Sequence, residues 1–171
     1  MVDIPEESTT GSVIEAAHYR QVLGHFPTGV TVITAMGSEG PVGLAVGSFC
    51  SVSLDPPLVA FCPDKRSSSW PQIKDTGGFC VNILAEEQED VCRIFASKGV
   101  DKFAGLGWKH TENGAPRLDE VLAWIDCRIE TVHDAGDHEL VIGHVLSLGV
   151  ARNDAPGPLV FYRGGYGRFE S

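Results

Sequence analysis

Hydrophobic and polar positions along the chain recur with two different periods, and the changes of period mark the elements. The residues before Ser12 are polar and acidic and read as a loose tail over 1–11, ahead of one domain spanning 12–171. Ser12 and Glu15 have the spacing of a capping box. Tyr19, Leu23 and Phe26 then recur at helical spacing until the stretch Gly24 to Gly29, with Pro27, ends the helix. From Val30 the pattern turns β-branched: Val30 to Ala35 reads as a strand, Met36 to Pro41 as a turn, and Val42 to Leu54 as one long strand. Asp55-Pro56-Pro57 interrupts it, and Leu58 to Cys62 resumes as strand.

A short helix near Ser69 to Asp75 and a second over Glu86 to Lys98, where Val91, Ile94 and Phe95 share a face, flank the apolar run Phe79 to Ala85. Ala123, Ile125, Cys127 and Ile129 alternate with Trp124, Asp126, Arg128 and Glu130, a clear period of two. A polar turn over His133 to His138 leads to a second alternating run, Leu140 to Val150, and Pro158 to Tyr162 supplies a last strand. Roughly seven closely spaced strands with few helices predict a mainly β barrel rather than a doubly wound sheet.

Composition narrows the partners. A net charge of −10 argues against a nucleic-acid surface, which needs clustered Lys and Arg. No apolar run approaches the roughly 18–20 residues that span a bilayer, and no basic segment leads an apolar stretch at the start, so neither membrane nor export is expected. Cys50, Cys62, Cys80, Cys92 and Cys127 are odd in number and form no C-x-x-C pair. They read as reduced core residues of a cytoplasmic protein.

Candidate chemistry is sparse. Gly164-Gly165-Tyr166-Gly167 follows a strand, but no helix follows it to hold a pyrophosphate at its N-terminus. His133, Asp134, Asp137, His138 and His144 contain metal-ligand types, yet no H-x-H or H-E-x-x-H spacing fixes them on one face, and a polar hairpin is the simpler reading. Gly47, Ser48, Ser51 and Ser53 stud one strand, and Ser67-Ser68-Ser69 opens a short helix. Those hydroxyls and the free N–H groups beside them can hold a phosphate, or they are an N-cap and a polar strand face; the residues leave both open.

Several segments carry a resemblance that decides between them. Phe26-Pro27-Thr28-Gly29-Val30-Thr31-Val32-Ile33-Thr34, Ser48-Phe49-Cys50-Ser51-Val52-Ser53-Leu54-Asp55-Pro56-Pro57-Leu58-Val59, Phe79-Cys80-Val81-Asn82-Ile83-Leu84, Asp101-Lys102-Phe103, Gly136-Asp137-His138 and Pro158-Leu159-Val160-Phe161-Tyr162-Arg163-Gly164-Gly165-Tyr166 stand in the order of the flavin reductase family. The chain resembles these FMN-binding split barrels, the reductase halves of two-component monooxygenases, over about Tyr19 to Phe169. Within them it is most similar to reductases serving aromatic or secosteroid hydroxylases in actinobacteria.

The resemblance implies a dimeric split β-barrel that moves hydride from NADH or NADPH to FMN or FAD and supplies reduced flavin to a monooxygenase. By likeness Thr31, Val32, Ile33 and Thr34, with Gly47, Ser48, Phe49, Ser51, Val52 and Ser53, line the flavin ring and ribityl chain. Ser67, Ser68 and Ser69 approach its phosphate, and Asn82, Lys102 and Phe103 complete the pocket. His138, Tyr162 and Tyr166 serve the nicotinamide nucleotide. Ala45 stands where many relatives have Thr, so a hydroxyl contact is lost there. Because the two cofactors carry the hydride chemistry, no residue is assigned as a catalyst and no metal is expected. A flavin store or sensor on the same barrel is the alternative.

Overall fold

The computed structural model describes residues 14–152 and 157–169. Helix α1 (Ala16–Leu23) is followed by β1 (Thr28–Gly29), β2 (Thr31–Gly37), β3 (Gly40–Val46), β4 (Cys50–Ser53) and β5 (Leu58–Phe61). Then come α2 (Trp70–Thr76), β6 (Gly78–Ile83), a 3-10 turn (Glu86–Gln88) and α3 (Glu89–Ala96). The chain continues through β7 (Trp108–His110), β8 (Pro116–Leu118), β9 (Ala123–Ala135), β10 (His138–Val150), β11 (Val160–Tyr162) and β12 (Gly165–Gly167). The tail over 1–11 and Ser12 lie outside the described residues. Glu15 is itself the N-cap of α1 and makes no side-chain cap bond, so it does not play the part expected of it in a capping box.

The expected long strand Val42 to Leu54 is two strands, and the division sets the architecture. Seven antiparallel strands form one sheet in the order β3-β2-β6-β9-β10-β5-β4. Its two edges, β3 and β4, are joined by Gly47, Ser48 and Phe49 alone. Four Cα steps reach about 15 Å at most. A flat sheet of this width would hold its edges about 29 Å apart. The sheet therefore curls until its edges approach without pairing, which is a split barrel. Gly47 sits at the crossing, where a Cβ would come within 3.0 Å of Thr28 Oγ1.

Two cores lie on the two sides of β2 and β6. Ile33, Phe61, Phe79, Val81 and Val141 fill the barrel with Trp70 and Ile73 of α2, and Phe61 meets Phe79 and Trp70 edge-on at 5.1 and 5.8 Å. Val32, Leu84, Phe95 of α3, Phe103, Val121 and Leu159 form the second. Each such side chain contributes about 1.5–3 kcal/mol on burial. The run Val30 to Ala35 shows no polar alternation because β2 is covered on both faces.

The period of two in β9 misleads at one point. Asp126, on the face expected to meet water, is fully buried. The β7–β8 hairpin, too short to read in the sequence, brings Thr111 Oγ1 and the Asn113 N–H onto its carboxylate at 2.7 and 3.2 Å. The polar turn is also shorter than expected: Ala135 pairs with His138, leaving Gly136 and Asp137 as a two-residue loop with Gly136 at φ 74°. Nor are all the cysteines core residues, because Cys50 is exposed.

Asn82, fully buried on β6, ties this covering hairpin to the sheet. Its Nδ2 donates to Thr34 Oγ1 and Val32 O at 3.0 and 3.2 Å, and its Oδ1 accepts the Leu118 N–H at 2.8 Å. Thr34 in turn donates to Pro116 O. Replacing Asn82 by Ala strands buried groups, at a cost of about 1–3 kcal/mol each. Urea denaturation of Asn82→Ala should show at least that loss.

Candidate functional site

A groove of about 700 Å³ opens at the split between the sheet edges. Leu44, Ala45 and Val46 of β3 form one wall with Gly47 and Ser48. Cys62, Pro63, Asp64, Arg66, Ser67 and Ser68, which follow β5, form the other, with His138 at the head of β10. Phe95 and Ala96 at the end of α3, the following Ser97 and Lys98, and Lys102 close it. Ser48 stitches the two walls: its Oγ accepts the Cys62 N–H at 2.8 Å and its hydroxyl lies 3.3 Å from Cys62 O.

The three consecutive serines divide their tasks. Ser67 Oγ accepts the Ser69 and Trp70 N–H groups at 3.3 and 3.2 Å, so it caps α2 while its own hydrogen stays available to the groove. Ser68 is exposed on the groove wall. Ser69 is buried, and its Oγ accepts from Lys102 Nζ at 3.3 Å.

Lys102 is the electrostatic centre. Its ammonium also donates to Phe95 O at 2.9 Å and Gly43 O at 3.1 Å, and partial burial pulls its pKa below the ordinary lysine value. No carboxylate pairs with it among the described residues. Three neutral oxygens fix the amine in place without cancelling its charge, so an anion in the groove meets a positive field.

At the mouth the charges are paired. Arg66 lies bidentate on Asp64, Nη2 to Oδ2 at 2.7 Å, and holds that carboxyl far below the usual carboxylate range. Lys65 binds Asp134 and Gly136 O. His138 forms an isolated bridge with Asp64, and its Nδ1 stands 2.7 Å from Asp137 Oδ1, which lowers the Asp137 pKa.

Of the residues assigned from the sequence, the groove brings together Gly47, Ser48, Ser67, Ser68, Lys102 and His138. Thr31, Val32, Ile33 and Thr34 are instead buried within β2, the threonine hydroxyls engaged by Val46 O and Pro116 O. Asn82 and Phe103 belong to the interior. Phe49 packs on the barrel core, and Ser51, Val52 and Ser53 continue along β4 beyond the groove lining. Tyr162 and Tyr166 stand on the β11–β12 hairpin, Tyr162 edge-on to His25 and Tyr166 against Cys92 with Arg93 over its ring. Missed in the sequence were Asp64, Arg66 and the end of α3. The run Asp64-Lys65-Arg66 directly before the serines was the available signal.

The fold is a curled antiparallel barrel, split at a groove that carries hydroxyls and a fixed ammonium. The chain belongs to the family described as flavin reductase like domain, whose model matches residues 23–170. It is 54% identical over 159 residues to a flavin reductase of Pseudomonas putida, covering 92% of each chain. With the reductase subunit HsaB of a flavin-dependent monooxygenase from Mycobacterium tuberculosis it shares 51% identity over 153 residues, 90% of this chain and 82% of that one. It superposes on the NADH:FAD oxidoreductase SgcE6 of Streptomyces globisporus C-1027, solved with NAD and FAD fragments. There the TM-score is 0.85 at 34% identity, covering 94% of this chain and 98% of the other.

The mouth makes stability depend on acidity. Asp137 has a lowered pKa in the folded state, so its contribution is complete above the ordinary Asp value of about 3.9 and is lost as pH falls through the lowered one. Urea midpoints measured at descending pH below about 4 should fall, and less steeply in Asp137→Asn.

Proposed function

We propose that this protein is an NAD(P)H:flavin oxidoreductase that binds FMN or FAD in the groove at the barrel split and passes reduced flavin to a monooxygenase. The observation that carries the reading is the Lys102 ammonium, uncompensated by a carboxylate, beside the hydroxyls of Ser67 and Ser68. These groups fit a phosphate, and the apolar side chains of Leu44, Val46 and Phe95 fit a flat ring. When bound, flavin supplies the ring that accepts hydride from the nicotinamide nucleotide. The chain's part is to bind and orient: Lys102 supplies charge, Ser67 and Ser68 donate, and Ser48 keeps the walls in register. His138 meets the nicotinamide nucleotide at the open end. No acid–base residue is required, because hydride transfer between stacked rings moves no proton through the protein.

Residues 12–171 act as one domain, and the working form is a homodimer in the cytoplasm. Helix α1 supports the dimer. It has eight residues and buries none, while Tyr19, Val22, Leu23 and nearby Phe26 stand 50–73% exposed beside Phe161 and Tyr162, which are also exposed. A helix this short is marginal alone, and a second copy supplies the missing cover. The reduced thiols suit a reducing compartment, and no helix among the described residues is long and apolar enough to cross a membrane.

Under anaerobic conditions NADH or NADPH should bleach added flavin, with no oxidation of the nucleotide when flavin is absent. Flavin binding without bleaching would leave a store or sensor in place of the reductase. Lys102→Met should weaken flavin binding by on the order of tenfold or more, while His138→Ala should raise KM for the nicotinamide nucleotide by a similar factor and spare flavin. Steady-state kinetics with each substrate varied in turn separates the two. Sedimentation should show a dimer that Leu23→Glu dissociates; a wild-type monomer with full activity would remove the dimer from the account.

A further inference from the structure

Two described thiols reach the surface, Cys50 and Cys62; Cys62 lines the groove, and Cys50 follows two residues after its Ser48. Cys80, Cys92 and Cys127 are buried, and burial pushes the Cys127 thiol up to about 12, so these three are poor nucleophiles. β4 and β5 pair antiparallel with Cys50 opposite Ala60. Cys62, two residues beyond Ala60 on the same face, is therefore the diagonal neighbour of Cys50. Such partners stand about 7–8 Å apart at Cα and somewhat less at Cβ, whereas a disulfide needs Cα atoms within about 7 Å. The shortfall is on the order of one ångström.

β4 is the strand that can supply it. It has four residues, carries a register shift between Ser51 and Ser53, and ends the sheet with a partner on one side only. The Cys62 thiol already feels Cys50: burial raises its pKa most, and Cys50 raises it next. Ser48, two residues before Cys50, holds the Cys62 backbone through its N–H and carbonyl. Drawing Cys50 onto Cys62 displaces Ser48 and opens that stitch in the groove wall.

We propose that Cys50 and Cys62 are a peroxide-responsive thiol pair whose disulfide deforms the groove and lowers its affinity for flavin. The oxidant is hydrogen peroxide, which forms when reduced flavin that no oxygenase takes up meets dioxygen. The exposed Cys50 sulfur attacks peroxide, the O–O bond breaks, and a sulfenic acid and one water result. The Cys62 sulfur then attacks the Cys50 sulfur, the S–O bond breaks, and a second water leaves. Peroxide gains two electrons in all and each thiol gives up one. The response shuts the reductase when its product is wasted; that consequence rests on the groove being the flavin site, while the thiol chemistry does not.

The test uses the full chain, reduced, treated with a small excess of hydrogen peroxide and quenched with catalase. Thiols titrated in denaturant should fall from five to three, the intact mass should drop by two hydrogens, and a peptide map should join Cys50 to Cys62. FMN affinity, read by fluorescence quenching, should weaken on the order of tenfold and return with dithiothreitol. Cys50→Ser should bind FMN as the untreated protein does and ignore peroxide, and Cys62→Ser should accumulate a dimedone-trapped sulfenic acid on Cys50. Five surviving thiols, a bridge between other cysteines, or a mapped Cys50–Cys62 bridge with unchanged FMN affinity overturns the proposal. If Lys102→Met also binds FMN like the wild type, the groove reading has failed; if it does not, the regulation alone has.

Discussion

A chain of three residues joins the two edges of a seven-stranded sheet, and nearly everything else in this molecule follows from that constraint. Because Gly47 to Phe49 cannot bridge a flat sheet, β3 and β4 are brought together without hydrogen-bonding to each other. Two unpaired edges side by side present backbone donors and acceptors that need partners. Ser48, in the crossing, meets the backbone N–H and C=O of Cys62 just past the end of β5, where β4 does not reach. The gap that remains is the groove. Its position is a consequence of topology: one wall is the end of β3 with the crossing itself, and the other is the segment that follows β5.

On the proposed reading, a chain of net charge −10 holds an anionic cofactor. Overall charge repels such a ligand only weakly, because exposed charges farther apart than about 8–10 Å are screened at physiological salt. Locally the acids near the groove are already satisfied: Asp64 by Arg66, Asp134 by Lys65 and Asp137 by His138. Lys102 is held by carbonyls and a hydroxyl, which orient an ammonium without neutralising it. One uncompensated, partly desolvated charge outweighs many screened ones. It sits beside Phe95 O near the C-terminal end of α3, where a cation is also favoured by the helix dipole.

The strands that alternate or run apolar over several residues were readable, because burial of one or both faces writes directly into the sequence. The division at Val46 was not, since Val42 to Leu54 keeps one β-like composition while the chain changes sheet edge in its middle. Asp126 and Asn82 failed for a related reason. Both are polar residues whose burial depends on the β7–β8 hairpin, an element with three-residue strands and no periodic signal. Ser67, Ser68, Lys102 and His138, named through the resemblance, line the groove, whereas Thr31 to Thr34, named with them, are buried in β2, which is covered on both faces. A motif marks which segment matters; which of its side chains point at the groove is settled by layers that only the fold supplies. Ser69 illustrates it, a motif serine whose hydroxyl serves Lys102 from below.

The two walls of the groove differ in how firmly they are held, an asymmetry that suits the proposed site, which would admit two cofactors in turn. β3 is backed by β2, by α3 and by both cores, and Gly43 lets the Phe95 ring lie against the strand where a Cβ would collide with it. That wall cannot shift without disturbing close packing, which resists even small volume changes. The opposite wall is the segment that follows β5, from Cys62 to Ser68, pinned at the surface by ion pairs that solvent screens. A rigid wall fixes where a bound ring lies, and a yielding one lets a second ring enter and leave. On that reading orientation comes from the core, and exchange from the loosely held segment after β5.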